Sequence, residues 1–245
     1  MLLSRSCASW RSCGVDATGT PPARADAPGW PSWSLGNHDV ARFATRLARS
    51  GDPREVRVLM AALLCLRGTI FLYQGEELGL PQAKVPFERL RDPFDIAAFG
   101  GEAGRDGART PMPWTAEAPN AGFSSAPDTW LPVDPAHPPL SVAMQERDPD
   151  SMLNFTRRLI ALRRASPALA RGEAKVLVAS DSVLAIERTL GDERLVCVFE
   201  LAGREGVFQA GTGEILAAFA GAETLADGVL SVPAFGGAIL RERGH

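Results

Sequence analysis

Apolar and polar positions change character several times along the chain. Residues 1 to about 29 are rich in Ser, Arg, Ala, Gly and Pro and show no apolar period of 2 or 3.6, so they read as an irregular or disordered segment. From Trp30 the pattern tightens. Trp30-Pro31-Ser32-Trp33-Ser34-Leu35 reads as a short buried strand, and Gly36 lets the backbone turn before Asn37-His38-Asp39. Asp52 as N-cap, Pro53 at the first helical position and Glu55 three residues past the cap open a helix that is apolar from Val56 to Leu66, with Gly68 as its stop. Thr69-Ile70-Phe71-Leu72-Tyr73 follows at once and is expected to form a strand buried on both faces. Strand, helix and strand in this order make a βαβ unit.

From Gln74 to Arg147 the chain is irregular and heavy in Pro and Gly, and a connection of that length inside a compact domain is usually functional. Asp148-Pro149-Asp150-Ser151 then caps a second helix. Its stripe of Met152, Phe155, Leu159, Ile160 and Leu162 faces inward, Arg157, Arg158 and Arg164 face out, and Pro167 ends it. After Gly172 the period drops to 2, with short strands expected at 175–179, 183–189, 194–200, 206–209, 214–218, 229–232 and 238–241. Seven such strands with turn punctuation argue for a small antiparallel sandwich.

Composition narrows the classes. The 245 residues are 45% hydrophobic, enough for a sizeable core, and the formal charge of -3 offers no basic field for a phosphate backbone. Nucleic acid is therefore not an expected partner. The apolar run Val58–Leu66 is too short for a bilayer span, and Met1–Gly14 lacks the apolar stretch of a secretory signal, so no membrane association and a cytoplasmic location are expected. Cys7, Cys13, Cys65 and Cys197 show no metal-binding or redox spacing, and the last two sit in apolar runs as buried free thiols do.

Three clusters carry candidate chemistry. Asn37-His38-Asp39 alone reads equally well as a turn or a helix cap. Gln74-Gly75-Glu76-Glu77 follows the second strand, and in a parallel barrel the residues just after each strand converge on one rim. Arg105-Asp106-Gly107-Ala108-Arg109 is either a solvated surface loop or the source of a guanidinium that holds a carboxylate or sugar hydroxyls with two parallel hydrogen bonds. Trp114 and Trp130 read as loop anchors in preference to sugar-stacking platforms.

At these residues the chain resembles a family. Trp-Pro-x-Trp-x-Leu-Gly-Asn-His-Asp from Trp30, Leu-Tyr-Gln-Gly-Glu-Glu-Leu-Gly from Leu72, Arg-Asp-Gly-Ala-Arg-Thr-Pro-Met-Pro-Trp from Arg105 and Asp-Pro-Asp-Ser-x-Leu-Asn-Phe from Asp148 are similar to the α-glucosidase and oligo-1,6-glucosidase branch of the α-amylase family. The resemblance implies an α/β plus all-β chain. Residues 30–171 would be the C-terminal part of a (β/α)8 TIM barrel, strands seven and eight with their helices and a long active-site loop, and 172–245 a β-sandwich. It also implies a retaining, exo-acting hydrolase of α-glucosidic bonds, needing no cofactor and no metal, with an α-glucoside or oligosaccharide as its partner. Asp39 would be the third carboxylate, gripping ring hydroxyls and stabilising the transition state. His38 and Arg109 would bind the same sugar, and Glu76 and Glu77 would lie near the rim. The family's nucleophile and acid/base glutamate have no counterpart in these residues, so no hydrolysis is expected of this chain alone. A non-enzymatic sugar-binding or interaction module, or part of a related α-glucosyl transferase, stays open as an alternative.

Overall fold

The computed structural model describes residues 29–97, 104–224 and 226–242. Nearly all of the irregular N-terminal segment, with Cys7 and Cys13, lies outside the described residues. Within them the order is β1 (Ser32–Trp33), α1 (Phe43–Arg46), α2 (Pro53–Cys65), β2 (Thr69–Ile70), α3 (Pro93–Ala97), α4 (Val142–Glu146), α5 (Met152–Ala165) and α6 (Pro167–Arg171). Eight strands follow: β3 (Glu173–Ala179), β4 (Val183–Leu190), β5 (Glu193–Glu200), β6 (Gly206–Gln209), β7 (Gly213–Phe219), β8 (Glu223–Thr224), β9 (Val229–Val232) and β10 (Gly237–Glu242). Contacts divide the chain into two units. Of the described residues, the first holds those up to Trp33, Asp52–Ile70 and those from Leu159 onward; the second holds those within Ser34–Gly51 and Phe71–Arg158.

In the first unit β1 and β2 pair in parallel, Ser32 opposite Thr69 and Trp33 opposite Ile70. Both strands are shorter than the pattern predicts. Only two residues of each enter the ladder, and Phe71, expected inside, is 57% exposed. Among the described residues β2 pairs with β1 alone, and its own residues are exposed or partly buried. The helix between them forms as predicted: the Asp52 side chain accepts from the Arg54 N–H, Pro53 is the first helical residue, and Val58 and Met60 through Cys65 are buried. Its end differs, because Leu66 already turns extended and Gly68 does not cap the helix. Gly68, at φ +126, instead lets the backbone pass close to the Pro31 carbonyl.

All seven strands predicted after Gly172 form, with the two-residue β8 in addition. A five-stranded sheet in the order β3-β4-β5-β10-β7 and a three-stranded sheet in the order β6-β9-β8 are antiparallel throughout. Ala185, Val196, Val198, Ala238 and Leu240 of the first sheet share a core with Leu230 and Val232 of the second. Each such side chain larger than alanine contributes roughly 1.5–3 kcal/mol when fully buried. Alternate residues of β5, Leu195, Cys197 and Phe199, are buried as well, so this central strand has no exposed face. Helices α2 and α6 pack against β5. Cys65 and Cys197 are buried free thiols, as their apolar sequence surroundings predict.

The second unit holds few long elements, and polar side chains tie it together. Buried Gln145 on α4 donates to the carbonyls of Leu78 and Leu140, each at 2.9 Å, and accepts from the Leu153 N–H at 2.9 Å. Around it Leu78, Leu80 and Leu153 form a small core flanked by Met112, Leu140 and Val142. Fully buried His137 reaches the Pro81 carbonyl at 3.0 Å through Nε2, which must carry the proton because a carbonyl only accepts. Burial lowers the His137 pKa and keeps the ring neutral.

Candidate functional site

Every residue singled out for chemistry lies in the second unit, and buried Arg42 links the three segments that carry them. Its Nη1 donates to the Gln74 carbonyl at 2.7 Å, its Nη2 to the Ala108 carbonyl at 3.0 Å, and its own N–H to Gln82 Oε1 at 2.9 Å. One guanidinium thus bridges the turn after β2 to the loop of Arg105 and Arg109 from the segment that follows Asp39. Burial lowers the Arg42 pKa, opposed by Tyr73 and by the Glu77 and Glu76 carboxyls.

The Asn37-His38-Asp39 turn is held locally by Asn37 Oδ1, which accepts the Asp39 N–H at 2.8 Å. His38 Nε2 stands 3.4 Å from Asp39 Oδ2. Two guanidiniums then converge on one oxygen. Arg109 Nη2 lies 3.2 Å and Arg105 Nη1 3.3 Å from Asp39 Oδ1, while Arg109 Nε donates to the His38 carbonyl at 2.8 Å. The Asp39 side chain remains 52% exposed, so Oδ2 faces a region that solvent or a ligand can enter.

On the far side of both arginines is Asp92, whose side chain is 4% exposed. Arg105 Nη2 donates to its Oδ1 at 2.7 Å and Arg109 Nη1 to its Oδ2 at 2.6 Å, closing a ring of alternating charges, Asp39-Arg105-Asp92-Arg109. The Arg105 hydrogen bond, with the Phe94 N–H and Arg109 adding to it, holds the Asp92 carboxyl down at about 2. Two further buried carboxylates fix the backbone beneath the ring. Asp95 accepts the N–H groups of Arg105 and Asp106, each at 2.8 Å, and Asp106 Oδ2 accepts those of Arg91 and Asp92 at 2.6 and 2.9 Å. Asp106 Oδ1 is buried 4.0 Å from Arg109 Nη1.

Asp39, His38 and Arg109 are therefore brought together, whereas Glu76 and Glu77 are not part of this ring. Glu76 is buried at 2% exposure beneath Gly36, where a β-carbon would stand 2.7 Å from Glu76 Oε1 and would have to displace that carboxyl oxygen. Its Oε2 accepts the Tyr73 N–H at 2.8 Å and its Oε1 is buried without a hydrogen-bond partner. Burial raises the Glu76 carboxyl to about 7. Glu77, partly buried, is also raised by burial. Trp114 and Trp130, read from the sequence as loop anchors, are 49% and 62% exposed, and backbone hydrogen bonds such as that from the Trp114 N–H to the Ala121 carbonyl help to hold the loop.

Sequence reasoning missed Arg42, Asp92 and Asp95, and it placed Arg105 and Asp106 in a candidate cluster without giving either a role. Asp92 precedes Pro93 at the start of α3, and such an Asp-Pro pair reads as a helix cap; its Oδ1 does accept the Phe94 N–H at 2.8 Å. Nothing local signals that the same carboxylate also holds two arginines 13 and 17 residues away. Among the described residues no group of three His, Cys, Asp or Glu side chains is placed to hold a metal ion.

The family described as "Alpha amylase, catalytic domain" matches residues 20–172. A probable alpha-glucosidase of Rhizobium meliloti is 43% identical over 180 residues, covering 73% of this chain and 32% of its own length. A glucan 1,6-alpha-glucosidase of Streptococcus dysgalactiae subsp. equisimilis is 34% identical over 201 residues, covering 74% and 37%. The chain thus spans about a third of the length of these relatives. Among solved structures, the alpha-glucosyl transfer enzyme XgtA superimposes with a TM-score of 0.78 at 35% identity, covering 89% of this chain and 41% of that one. The trehalulose synthase MutB of Pseudomonas mesoacidophila gives 0.76 at 26% identity, covering 89% and 44%. With the motifs of Asp39, Glu76 and Arg109 inside the matched residues, the chain belongs to the α-amylase family, glycoside hydrolase family 13.

Proposed function

We propose that the ring around Asp39 forms one wall of a site for the terminal glucose of an α-glucoside, and that the chain is the C-terminal portion of a retaining, exo-acting α-glucosidase. The paired strands β1 and β2 would be barrel strands seven and eight, and the two antiparallel sheets the sandwich that follows them. The observation that carries this reading is Asp39 itself, half exposed, with Oδ1 occupied by Arg105 and Arg109 and Oδ2 beside the exposed His38 ring. A carboxylate held on one side accepts two sugar hydroxyls on the other, and the adjacent imidazole donates or accepts a third. Once the glucosyl ring takes on oxocarbenium character, the Asp39 charge stabilises it, whereas the ground state benefits less.

Calorimetric titration of the 245-residue chain with isomaltose is expected to show saturable binding that Asp39→Asn weakens by at least tenfold. Unchanged affinity in that variant would remove Asp39 from the site. Because Asp39 neither attacks the anomeric carbon nor protonates the leaving group in this reading, a chain of these 245 residues is expected to release no p-nitrophenol from p-nitrophenyl α-glucoside. Turnover by the purified, mass-verified chain overturns that expectation.

A second reading, transfer of the glucosyl group to another sugar instead of water, is favoured by the likeness to the alpha-glucosyl transfer enzyme XgtA. Both reactions would use the same wall. Product analysis of a polypeptide of the relatives' full length that carries these residues separates them: free glucose for hydrolysis, a glucosylated acceptor for transfer.

A further inference from the structure

We propose that Asp92 is a positioning residue for the glucose site, a buried carboxylate that presents Arg105 and Arg109 to Asp39 without itself touching the sugar. The proposal rests on the carbohydrate reading of the Asp39 site, and its geometry stands apart from that reading. Each Asp92 oxygen takes a different guanidinium, at 2.7 and 2.6 Å, and these contacts are shorter than the 3.3 and 3.2 Å by which the same arginines reach Asp39. The tighter, less exposed partner fixes an arginine, and the looser, half-exposed one is free to respond to a ligand.

Charge makes a carboxylate necessary at this point. Two guanidiniums whose only shared acceptor was Asp39 Oδ1 would repel each other, and the long side chains would separate into solvent. Asp92 supplies the second negative charge that lets both remain on one oxygen, with Asp106 4.0 Å from Arg109 adding a third. Asp92 is in turn held from three directions: its N–H by Asp106, its Oδ1 by the Phe94 N–H, and its neighbour Pro93 by the start of α3. Arg105 also lies over the Phe94 ring, 5.4 Å from its centroid, so Asp92 fixes both the cation and the backbone of the aromatic residue beneath it. An amide at position 92 would point two donors at one of the guanidiniums and break the ring there.

The test reads the arginines directly. In the uniformly 15N-labelled 245-residue chain, the Nε–H signals of Arg105 and Arg109, assigned by their loss in Arg105→Lys and Arg109→Lys, are followed beside the urea-unfolding midpoint and the isomaltose affinity. Asp92→Asn is expected to shift or broaden both signals and to weaken isomaltose at least tenfold while unfolding stays cooperative. Persistence of both signals with affinity within twofold overturns the proposal. Asp92→Glu, which keeps the charge on a longer stem, covers the case in which the asparagine variant does not fold: it is expected to retain at least one of the two signals, and a folded Glu variant lacking both also overturns the proposal. If the parent chain binds no isomaltose, the carbohydrate reading fails, and the role of Asp92 is then decided by the two Nε–H signals alone.

Discussion

The two oxygens of Glu76 meet different fates: Oε2 accepts the Tyr73 N–H, and Oε1 is buried under Gly36 with no hydrogen-bond partner. Desolvation therefore outweighs that hydrogen bond and the attraction of Arg42 and Arg46, and the carboxyl rises from 4.5 to about 7. Between those pH values the folded chain holds a proton that the unfolded chain has released. The stability linked to this group is thus complete below about pH 4.5, falls as pH rises through 7, and is flat beyond. Glu76→Gln is expected to remove that slope and to raise stability at pH 8 by about 1–3 kcal/mol. Urea midpoints at pH 5 and pH 8 in both chains check this, and an undiminished slope in the variant rules it out. The Gln-Gly-Glu-Glu motif singles out Glu76 in the sequence only as a candidate. That its carboxyl is enclosed, and not displayed on a rim, follows only from the packing of Gly36 over it.

At the scale of elements, local signals serve well wherever a helix or strand is stabilised by its own neighbours in sequence. Asp52 and Pro53 start α2 where their chemistry predicts, and the period-2 stretches after Gly172 form strands nearly residue for residue. The C-terminal end of α2 is not legible, because its carbonyls are satisfied by distant arginines. Arg163 Nη1 donates to the carbonyls of Leu64 and Leu66, and fully buried Arg188 donates to those of Cys65, Gly172 and Glu173. Two cations at the negative end of a helix dipole stop it without a glycine cap. Burial brings Arg188 down to about 10, so it stays charged at neutral pH. Arg188→Met is expected to cost ~2–4 kcal/mol, since it leaves buried carbonyls without donors. Chemical denaturation checks this, and a loss below about 1 kcal/mol would show that the carbonyls find other partners.

For the whole molecule, the path of the chain decides which pieces depend on one another. It crosses between the two units four times, so α2 and the antiparallel sheets share one unit although more than a hundred residues separate Cys65 from Arg188. A truncation after Arg171 tests the boundary read from the sequence. It removes β5 and Arg188 from α2, and the 1–171 chain is expected to lose cooperative thermal unfolding; a sharp transition in that fragment would show that the boundary separates independent folding units. What the sequence by itself determined was the kind of the longer elements, α2, α5 and the strands after Gly172, and, through its motifs, the family to which the chain belongs, with Asp39, His38 and Arg109 as candidates. These depend on caps, periods and motifs that act over a few residues. Only the tertiary structure decided that Asp92 closes the ring on both arginines, that Arg42 ties the three segments together, and that Glu76 is enclosed while Trp114 and Trp130 are not. Burial and long-range charge pairing depend on which distant segments meet, and no local pattern encodes that meeting.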